Sequence, residues 1–390
     1  MTRASAMSHP TQQTTAGKIR SNARSAFWRR VSVAPETLAA VLNGRARKGK
    51  AKKNKRETAM EKRERGNAGT EGRADVKSEV ARAVIAAMEV GSAPWQRPWS
   101  QRCMKPINPT TGNAYRGVNR VLLAIAAAGR SSGEFMTYRQ AAERGWQVRA
   151  GERGSMIVKV VEIGGGEARS EHEREEAKSQ KEQGLTPRAL RRYFVFNRDQ
   201  IDGMPPLDPQ PEFPAFDPIM RAEAVVQALT EKTGLSVREG GSAACYIPSR
   251  DEMILPARSA FQTAHDWHAT QLHEAAHSTL HERRLNRTAA LGKRWGDAAY
   301  AMEELRAEIC SAILAAETGV PMSQRNIEAH AAYLRDWVKV IANEPMAIFS
   351  AAKDAEVMAE YLLKLEHGLR AERREAGWVA EYDAALSRSR

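Results

Sequence analysis

Apolar residues recur at helical spacing in several long stretches of the chain. Residues 75–90 carry apolar side chains three or four positions apart, and Gly91 ends the run, which predicts an amphipathic helix. The stretches 326–344 and 345–370 repeat this spacing and predict two further helices. Much of the chain is therefore expected to be helical.

Shorter segments have the pattern of strands. After a short predicted helix at 137–143, glycine-containing turns separate predicted strands at 146–148 and 156–161, and 191–203 supplies a returning strand. The acidic, glycine-rich stretch 161–184 is expected to be a surface insertion between two strands. Together with the helices, these segments predict an α+β fold.

The chain has 390 residues, of which 42% are hydrophobic, which predicts two cores rather than one. A proline-rich passage at 203–218 marks the expected boundary, because proline removes backbone donors and stiffens the chain. We expect a basic disordered tail at 1–71, a small basic α+β domain at 72–205 and a linker at 206–216. A mainly helical domain with a short sheet is expected at 217–370, followed by a polar tail at 371–390.

The net charge of +13 is concentrated near the N-terminus. Residues 1–71 hold 17 Lys and Arg against 5 Glu, and the run 45–65 has few apolar residues, which predicts disorder. This tail could be a solvated linker or a nonspecific phosphate clamp, and translation starting at Met60 would remove most of it. The sequence leaves the three alternatives open.

Several classes of protein are disfavoured by the sequence. No apolar run approaches the roughly 20 residues of a membrane span, and the N-terminus lacks the apolar region of a signal peptide. The three cysteines are far apart and show no CxxC spacing, which argues against a disulfide scaffold or a cysteine-rich zinc site. We expect a cytoplasmic protein with no membrane partner.

Aromatic and cationic residues alternate in the first domain. Residues 91–159 contain 11 Lys and Arg against 3 Glu. Exposed rings that stack on bases, beside cations that hold phosphates, are typical of single-stranded nucleic acid binding, although each Trp could instead pack in the core. The candidate DNA-binding residues are Trp95, Arg97, Trp99, Arg102, Lys105, Tyr115, Arg116, Asn119, Arg120, Arg149 and Arg153.

An ordered series of motifs spans residues 75–203: W-x-R-P-W, NP-x-TG-x-AYRG-x-N, TYRQA, G-x-x-V-R-x-GE-x-G and YFVFN-x-DQ. This series resembles the N-terminal domain of ArdC-type antirestriction proteins, which is also found in conjugative plasmid primases. The resemblance implies that this domain binds single-stranded DNA.

The second domain contains the motif His273-Glu274-Ala275-Ala276-His277. On a helix, His273 and His277 project from one face and can share a metal ion. Glu274 is offset from them, so it can lie beside a water at the fourth position and act as a general base. The spacing therefore predicts a catalytic metal site.

A second predicted helix, 295–319, supplies carboxylates next to apolar residues. Buried carboxylates need a partner, and a metal ion provides one. We expect Glu304 to be the third ligand and Glu308 to orient a histidine. The alternative is that Glu308 is the ligand instead of Glu304. Glu303 is expected to point elsewhere and to be solvated.

The ordered motifs YIPSRDEMILP, HE-x-x-H, H-x-x-RLNR and YA-x-EEL-x-AE resemble the zincin-like metallopeptidase domain that follows the DNA-binding domain in the ArdC-type family, over 217–345. The resemblance implies that His273, His277 and Glu304 bind metal and that Glu274 is the base. His281 lies eight residues after the first histidine, which argues against metzincin ligation and suggests that it supports the helix end. Tyr300 is a weaker candidate for polarising a carbonyl.

These features predict an antirestriction protein of a mobile element that binds single-stranded DNA and carries a metal-dependent peptidase-like domain. Zn²⁺ is the expected cofactor, with Mn²⁺ or Co²⁺ as alternatives. The expected partners are single-stranded DNA and, if the peptidase is active, a host protein. The alternatives are a non-catalytic single-stranded DNA-coating protein, or a conjugative primase accessory, with a structural metal site.

Overall fold

The computed structural model describes residues 75–89, 105–163, 171–207, 218–287, 298–320 and 333–375, and the structural statements below concern these residues. The predicted tail 1–71 and most of the predicted linker 206–216 and tail 371–390 lie outside them. Among the described residues, no helix is long and apolar enough to cross a membrane.

The N-terminal half combines helices with two small antiparallel sheets. Its helices are α1 Val76–Met88, α2 Val118–Ala126, α3 Tyr138–Glu143 and α4 Glu171–Glu182. Its strands are β1 Phe135–Met136, β2 Gln147–Val148, β3 Ser155–Glu162, β4 Arg188–Asn197 and β5 Ile201–Asp202. The strands β3 and β4 pair over eight positions, so the predicted insertion does lie between two neighbouring strands, and it contains α4.

The C-terminal half is mainly helical, with one three-stranded sheet. Its helices are α5 Pro218–Thr233, α6 Ala264–Ser278, α7 Ala298–Thr318, α8 Leu334–Asn343 and α9 Ala347–Glu375. Its strands are β6 Ser236–Glu239, β7 Cys245–Ile247 and β8 Glu252–Leu255. Strand β8 lies in the middle, parallel to β6 and antiparallel to β7, which leaves one edge of β7 unpaired within this sheet. Together with the N-terminal half, these elements confirm the predicted α+β fold.

Helix α6, which carries the HEAAH motif, begins at a clear local signal. The Thr263 hydroxyl accepts a hydrogen bond from the Asp266 backbone N–H at 3.1 Å, which satisfies one of the free donors of the first turn. The helix contacts α7 and α5, and it also contacts strands β7 and β8. It is therefore fixed from several sides.

The two halves share apolar packing. The sequence predicts two cores, but the largest apolar cluster of the described residues contains side chains from both halves, including Val84 of α1 and Trp337 of α8. Helix α8 packs on α1, and α9 packs on both α2 and α7. The halves are therefore held together by apolar burial as well as by the chain.

A buried ion pair joins α2 to α9. Arg120 Nε lies 2.7 Å from Glu356 Oε1, and both side chains are largely buried. The backbone N–H of Gly117, which precedes the first turn of α2, donates to the same oxygen at 3.2 Å. A carboxylate at a helix N-terminus also interacts favourably with the helix dipole. Glu356 therefore fixes the position of α2 against the C-terminal half.

Replacing Glu356 with Ala is expected to lower the free energy of unfolding by about 3 kcal/mol, because Arg120 would stay buried without its partner. Denaturant unfolding of the full chain measures this loss. Glu360→Ala is the matched control: Glu360 pairs with Arg116 on the surface, and its loss should cost less than about 1 kcal/mol. Equal losses in the two variants would contradict the role given to Glu356.

Candidate metal centre

The two histidines of the HEAAH motif lie one turn apart on α6. Their Nε2 atoms are 3.2 Å apart, and the rings are nearly perpendicular, with an interplanar angle of 82°. Helical spacing brings the imidazoles of His273 and His277 to one face, as the sequence predicts. That face packs against α7.

Helix α7 brings Glu304 to the same point. Glu304 Oε2 is 3.8 Å from His273 Nε2, and Glu304 Oε1 is 3.6 Å from His277 Nε2. The donor atoms of the three residues lie within 4.8 Å of one another. Tetrahedral ligands at ordinary zinc–ligand distances are about 3.4 Å apart, so these three residues fit a shared divalent ion.

The outer nitrogens of the two imidazoles face two further carboxylates of α7. Glu308 Oε2 is 3.4 Å from His273 Nδ1, and Glu303 Oε1 is 3.4 Å from His277 Nδ1. A carboxylate on the far nitrogen orients a ligating imidazole and raises its basicity. The position of Glu308 favours the supporting role over ligation.

The expectation that Glu303 is solvated is wrong. Glu303 is only 2% exposed, and Arg287 donates to both of its oxygens, at 2.8 and 3.2 Å. Arg287 also donates to the Thr279 hydroxyl, just past the end of α6. The H-x-x-RLNR motif contains this arginine, so the sequence held a signal for the pairing but did not say which carboxylate Arg287 meets.

The cluster favours positive charge between the helices. Burial alone would raise the pKa of Glu304, but its hydrogen bond to His273 and the charges of both histidines lower it to about 2. Burial alone would lower the pKa of His273, but contacts with Glu304 and Glu308 raise it well above its ordinary value. Buried carboxylates around two imidazoles attract a proton or a metal cation for the same electrostatic reason.

Glu274 is buried and lies near the edge strand of the sheet. Its charge interacts with both imidazoles of the motif, and also with Cys245 on β7 and Tyr333. Burial and the charge of Glu274 together raise the pKa of the Cys245 thiol. Helix α6, which carries Glu274, contacts β7.

Two tyrosines border the cluster. The hydroxyls of Tyr300 and Tyr333 are 3.4 Å apart, and the Tyr300 hydroxyl is hydrogen-bonded to Glu304. Burial, the hydrogen bond with Tyr333 and the charge of Glu304 raise the pKa of Tyr300. In the structure, Tyr300 thus contacts the candidate ligand Glu304. The sequence had suggested that Tyr300 polarises a substrate carbonyl.

A buried arginine ties the C-terminal end of α6 to the sheet. Arg284 donates to the Ser278 carbonyl at 2.6 Å, to the Tyr246 hydroxyl at 3.2 Å and to the Asp251 carboxylate. Asp251 lies in the turn between β7 and β8 and has a left-handed backbone, with φ of 45°. His281 lies three residues past the end of α6 and accepts a hydrogen bond from the Arg283 N–H at 3.2 Å. Its role in supporting the helix end stays a prediction.

The Asp251→Asn variant tests this tie. Burial raises the pKa of Asp251, but hydrogen bonds from Arg284 and Tyr246 outweigh it and lower the pKa below 3.8. The charge therefore stabilises the folded protein above about pH 4, and this contribution is lost as the pH falls through the lowered pKa. Asn tolerates a left-handed backbone, so the variant changes the charge without straining the turn. The free energy of unfolding should fall by about 2 kcal/mol at neutral pH because the charge is lost.

The measurement is urea unfolding of both proteins across a pH series. The difference between wild type and variant should shrink below about pH 4 and vanish as the pH falls through the lowered pKa of Asp251 in the folded protein. Asp336→Asn, at an exposed pair with Lys339, is the control and should show a difference of a few tenths of a kcal/mol at most. A constant gap for Asp251→Asn would show that its charge is not what stabilises the turn.

The candidate DNA-binding residues fall into two groups. Trp95, Arg97, Trp99 and Arg102 lie outside the described residues. Of the others, Arg116 and Arg120 pair with Glu356, and Lys105 pairs with Glu317 at 2.8 Å. These three cations bridge the two halves of the protein.

The remaining candidates mostly hold the N-terminal half together. Asn119 makes two hydrogen bonds to the Val158 main chain, at 2.7 and 2.8 Å, and so fixes α2 to β3. The Tyr115 hydroxyl donates to the Phe135 carbonyl at 3.0 Å. Arg149 pairs with Glu152 and Asp202, both at 3.1 Å, and Arg153 is exposed just before the start of β3.

Two family models match the chain. Residues 74–196 match the N-terminal domain of anti-restriction factor ArdC, and residues 224–354 match a zincin-like metallopeptidase. The second match contains all the residues of the candidate metal centre described above.

Curated relatives come from bacteria. The chain is 40% identical over 297 residues to a DNA primase TraC of Escherichia coli, covering 74% of this chain, and 37% identical to a second TraC. It spans only 20% and 27% of the lengths of these two relatives. It is also 34% identical to the uncharacterized protein y4eC of Sinorhizobium fredii, over 74% of this chain and 91% of that protein.

The fold is also similar to solved structures. The Mn(II)-bound crystal structure of the antirestriction protein ArdC from plasmid R388 superimposes with a TM-score of 0.58 at 33% identity, covering 75% of this chain and 98% of that one. The metal-free structure of the same protein gives a TM-score of 0.59 at 32% identity.

Proposed function

The chain belongs to the ArdC-type family of antirestriction proteins, and on that premise we propose that it binds single-stranded DNA and carries a metal-dependent peptidase centre. The cleaved substrate would be a host protein, and bound DNA would localise the reaction. The setting is a plasmid or related mobile element, because the relatives include a plasmid antirestriction protein.

The observation that carries the peptidase proposal is the grouping of the donor atoms of His273, His277 and Glu304 within 4.8 Å of one another, with Glu274 following His273 in the sequence. A structural metal site needs only ligands, usually four from the protein, whereas a catalytic site has three and a nearby base. The described cluster offers three donors, and the sequence adds Glu274 directly after the first histidine. This arrangement favours hydrolysis over a purely structural site.

His273, His277 and Glu304 would hold the ion, and Glu308 and Glu303 would orient the two imidazoles. Two imidazoles and a carboxylate suit Zn²⁺, with Mn²⁺ and Co²⁺ as alternatives; the R388 relative was crystallised with Mn(II). A bound divalent ion would supply Lewis acidity, making a carbonyl more electrophilic and a water molecule more acidic.

The chain's own residues would perform the proton transfers and hold the substrate. Glu274 would take a proton from the attacking water and deliver it to the departing amine. The edge of β7 that has no neighbouring strand among the described residues would bind an extended peptide by strand addition, and α6, which carries Glu274, contacts this strand. Tyr300, hydrogen-bonded to Glu304, would keep that carboxylate in place.

DNA binding is supported by the charge of the N-terminal half. Residues 91–159 hold 11 Lys and Arg against 3 Glu, and cations that neutralise phosphates supply most of the nonspecific affinity. A second candidate function is a non-catalytic DNA-coating protein or primase accessory, favoured by the identity to TraC.

Replacing His273 with Ala should weaken metal affinity at least about 100-fold, since it removes one of three ligands. Mass spectrometry of metal content after dialysis, with competition against a chelator, measures this. His281→Ala is the matched control, because His281 lies on the same segment but outside the donor cluster. Full metal content in the His273 variant would refute the ligand assignment.

Replacing Glu274 with Gln should leave metal and DNA binding intact while lowering peptidase-dependent protection about 100-fold or more, because a general base contributes that much to rate. The assay compares restriction protection of transferred plasmid DNA in cells carrying wild type or variant. Equal protection by the variant would make the metal centre a structural element and leave DNA binding as the function.

A further inference from the structure

Three aromatic side chains form a row on the surface of the N-terminal half. This aromatic row consists of Phe194 and Phe196 on β4 and Tyr138 at the start of α3. Phe194 is 51% exposed and Tyr138 is 53% exposed, while Phe196 between them is half-buried. Phe194 and Phe196 are two residues apart on one strand and therefore lie on the same face of the sheet. The rings of Tyr138 and Phe196 meet edge to face, with centroids 6.5 Å apart.

The backbone next to the aromatic row carries no side chain at Gly154. A Cβ atom placed on Gly154 would lie 2.9 Å from Phe194 Cβ and 3.4 Å from Phe196 Cζ. The chain before β3 therefore passes close to both phenylalanines without a side chain at the point of contact. A contiguous patch of exposed rings marks an interaction site, whereas single exposed apolar residues are common on protein surfaces.

Cations flank the aromatic row. Arg192 lies two residues before Phe194 on the same face, and Arg139 follows Tyr138, with a side chain that is 88% exposed. Arg153 precedes the bare Gly154. Arg192 and Arg139 pair with Glu79 and Glu143 at the surface, and such pairs are weak enough to exchange for phosphate.

We propose that the aromatic row is the surface on which unpaired bases of single-stranded DNA stack, with Arg139, Arg153 and Arg192 beside the phosphates. This rests on the proposed function, in which the chain binds single-stranded DNA, and it assigns that binding to residues of the TYRQA and YFVFN motifs. The occupant is a polyanion because the flanking side chains are cationic. It is single-stranded because only unpaired bases present a free aromatic face to a protein ring.

The same strand provides a matched control. Tyr193 is 42% exposed and directly precedes Phe194, but it lies on the opposite face, in register with Ile157. Ile157 packs against the small cluster that contains Phe135 and Val195, away from the aromatic row. An aromatic ring of similar exposure is thus available one residue away from the row.

The test measures binding of a fluorescein-labelled oligothymidylate to the full-length protein by anisotropy. Phe194→Ala and Tyr138→Ala should each weaken binding about tenfold, the effect expected for losing one stacked base, whereas Tyr193→Ala should change it less than about twofold. The salt dependence should stay unchanged in the aromatic variants, because they remove no cation, and should fall in Arg139→Gln.

Two further substitutions separate stacking from a change in folding. Phe194→Trp keeps an aromatic face and should bind at least as tightly as wild type, whereas Phe194→Leu keeps apolar volume without that face and should bind like Phe194→Ala. Metal content and melting temperature should match wild type in all these variants. Phe194→Leu binding as well as wild type would overturn stacking as the cause.

The outcomes distinguish this inference from the proposed function. If wild type binds the oligonucleotide but Phe194→Ala and Tyr138→Ala bind equally well, the aromatic row is not the DNA surface, while DNA binding stands. An equal loss in Tyr193→Ala would likewise overturn the assignment of one face. If wild type itself does not bind, the proposed DNA-binding function fails and this inference fails with it.

Discussion

The contact between α6 and α7 depends on compensation of buried charge. Glu303, Glu304 and Glu308 enter it from α7, and His273 and His277 enter it from α6, all largely removed from water. An unpaired carboxylate in such a place would destabilise the fold by several kcal/mol. Each carboxylate instead meets an imidazole, and Glu303 also meets a guanidinium. The pairing that allows the helices to pack also sets three donor atoms at the spacing of a metal site.

Helix α9 connects this contact to the N-terminal half. It packs on α7 on one side and on α2 on the other, where Glu356 meets Arg120 and the Gly117 N–H. The two halves therefore share apolar packing and a buried ion pair. Arg120 is engaged in the fold, whereas the rings of Phe194 and Tyr138 are exposed, and the proposed DNA contact is therefore assigned to those rings.

Features set by residues within one or two turns could be predicted from the sequence. The HEAAH helix, the strand pair around the acidic insertion and the helix that carries Glu304 are all present in the structure. The short strand β6 was missed, because four residues carry too little pattern, and its parallel pairing with β8 is not local. The burial of Glu303 was missed because α7 contacts α6, α8 and α9, which leaves no solvated face for that carboxylate.

The sequence alone determined the family motifs, the concentration of positive charge and the spacing that places two imidazoles on one helix face, because each depends on residues close together in the chain. The tertiary structure decided which carboxylate meets which nitrogen, which arginines are engaged inside the protein and which aromatic rings stay exposed. Gly117 and Glu356 are 239 residues apart, and only the packing of α9 on α2 brings them within hydrogen-bond distance. Partners at such separation are selected by the complete fold, since no local pattern links them.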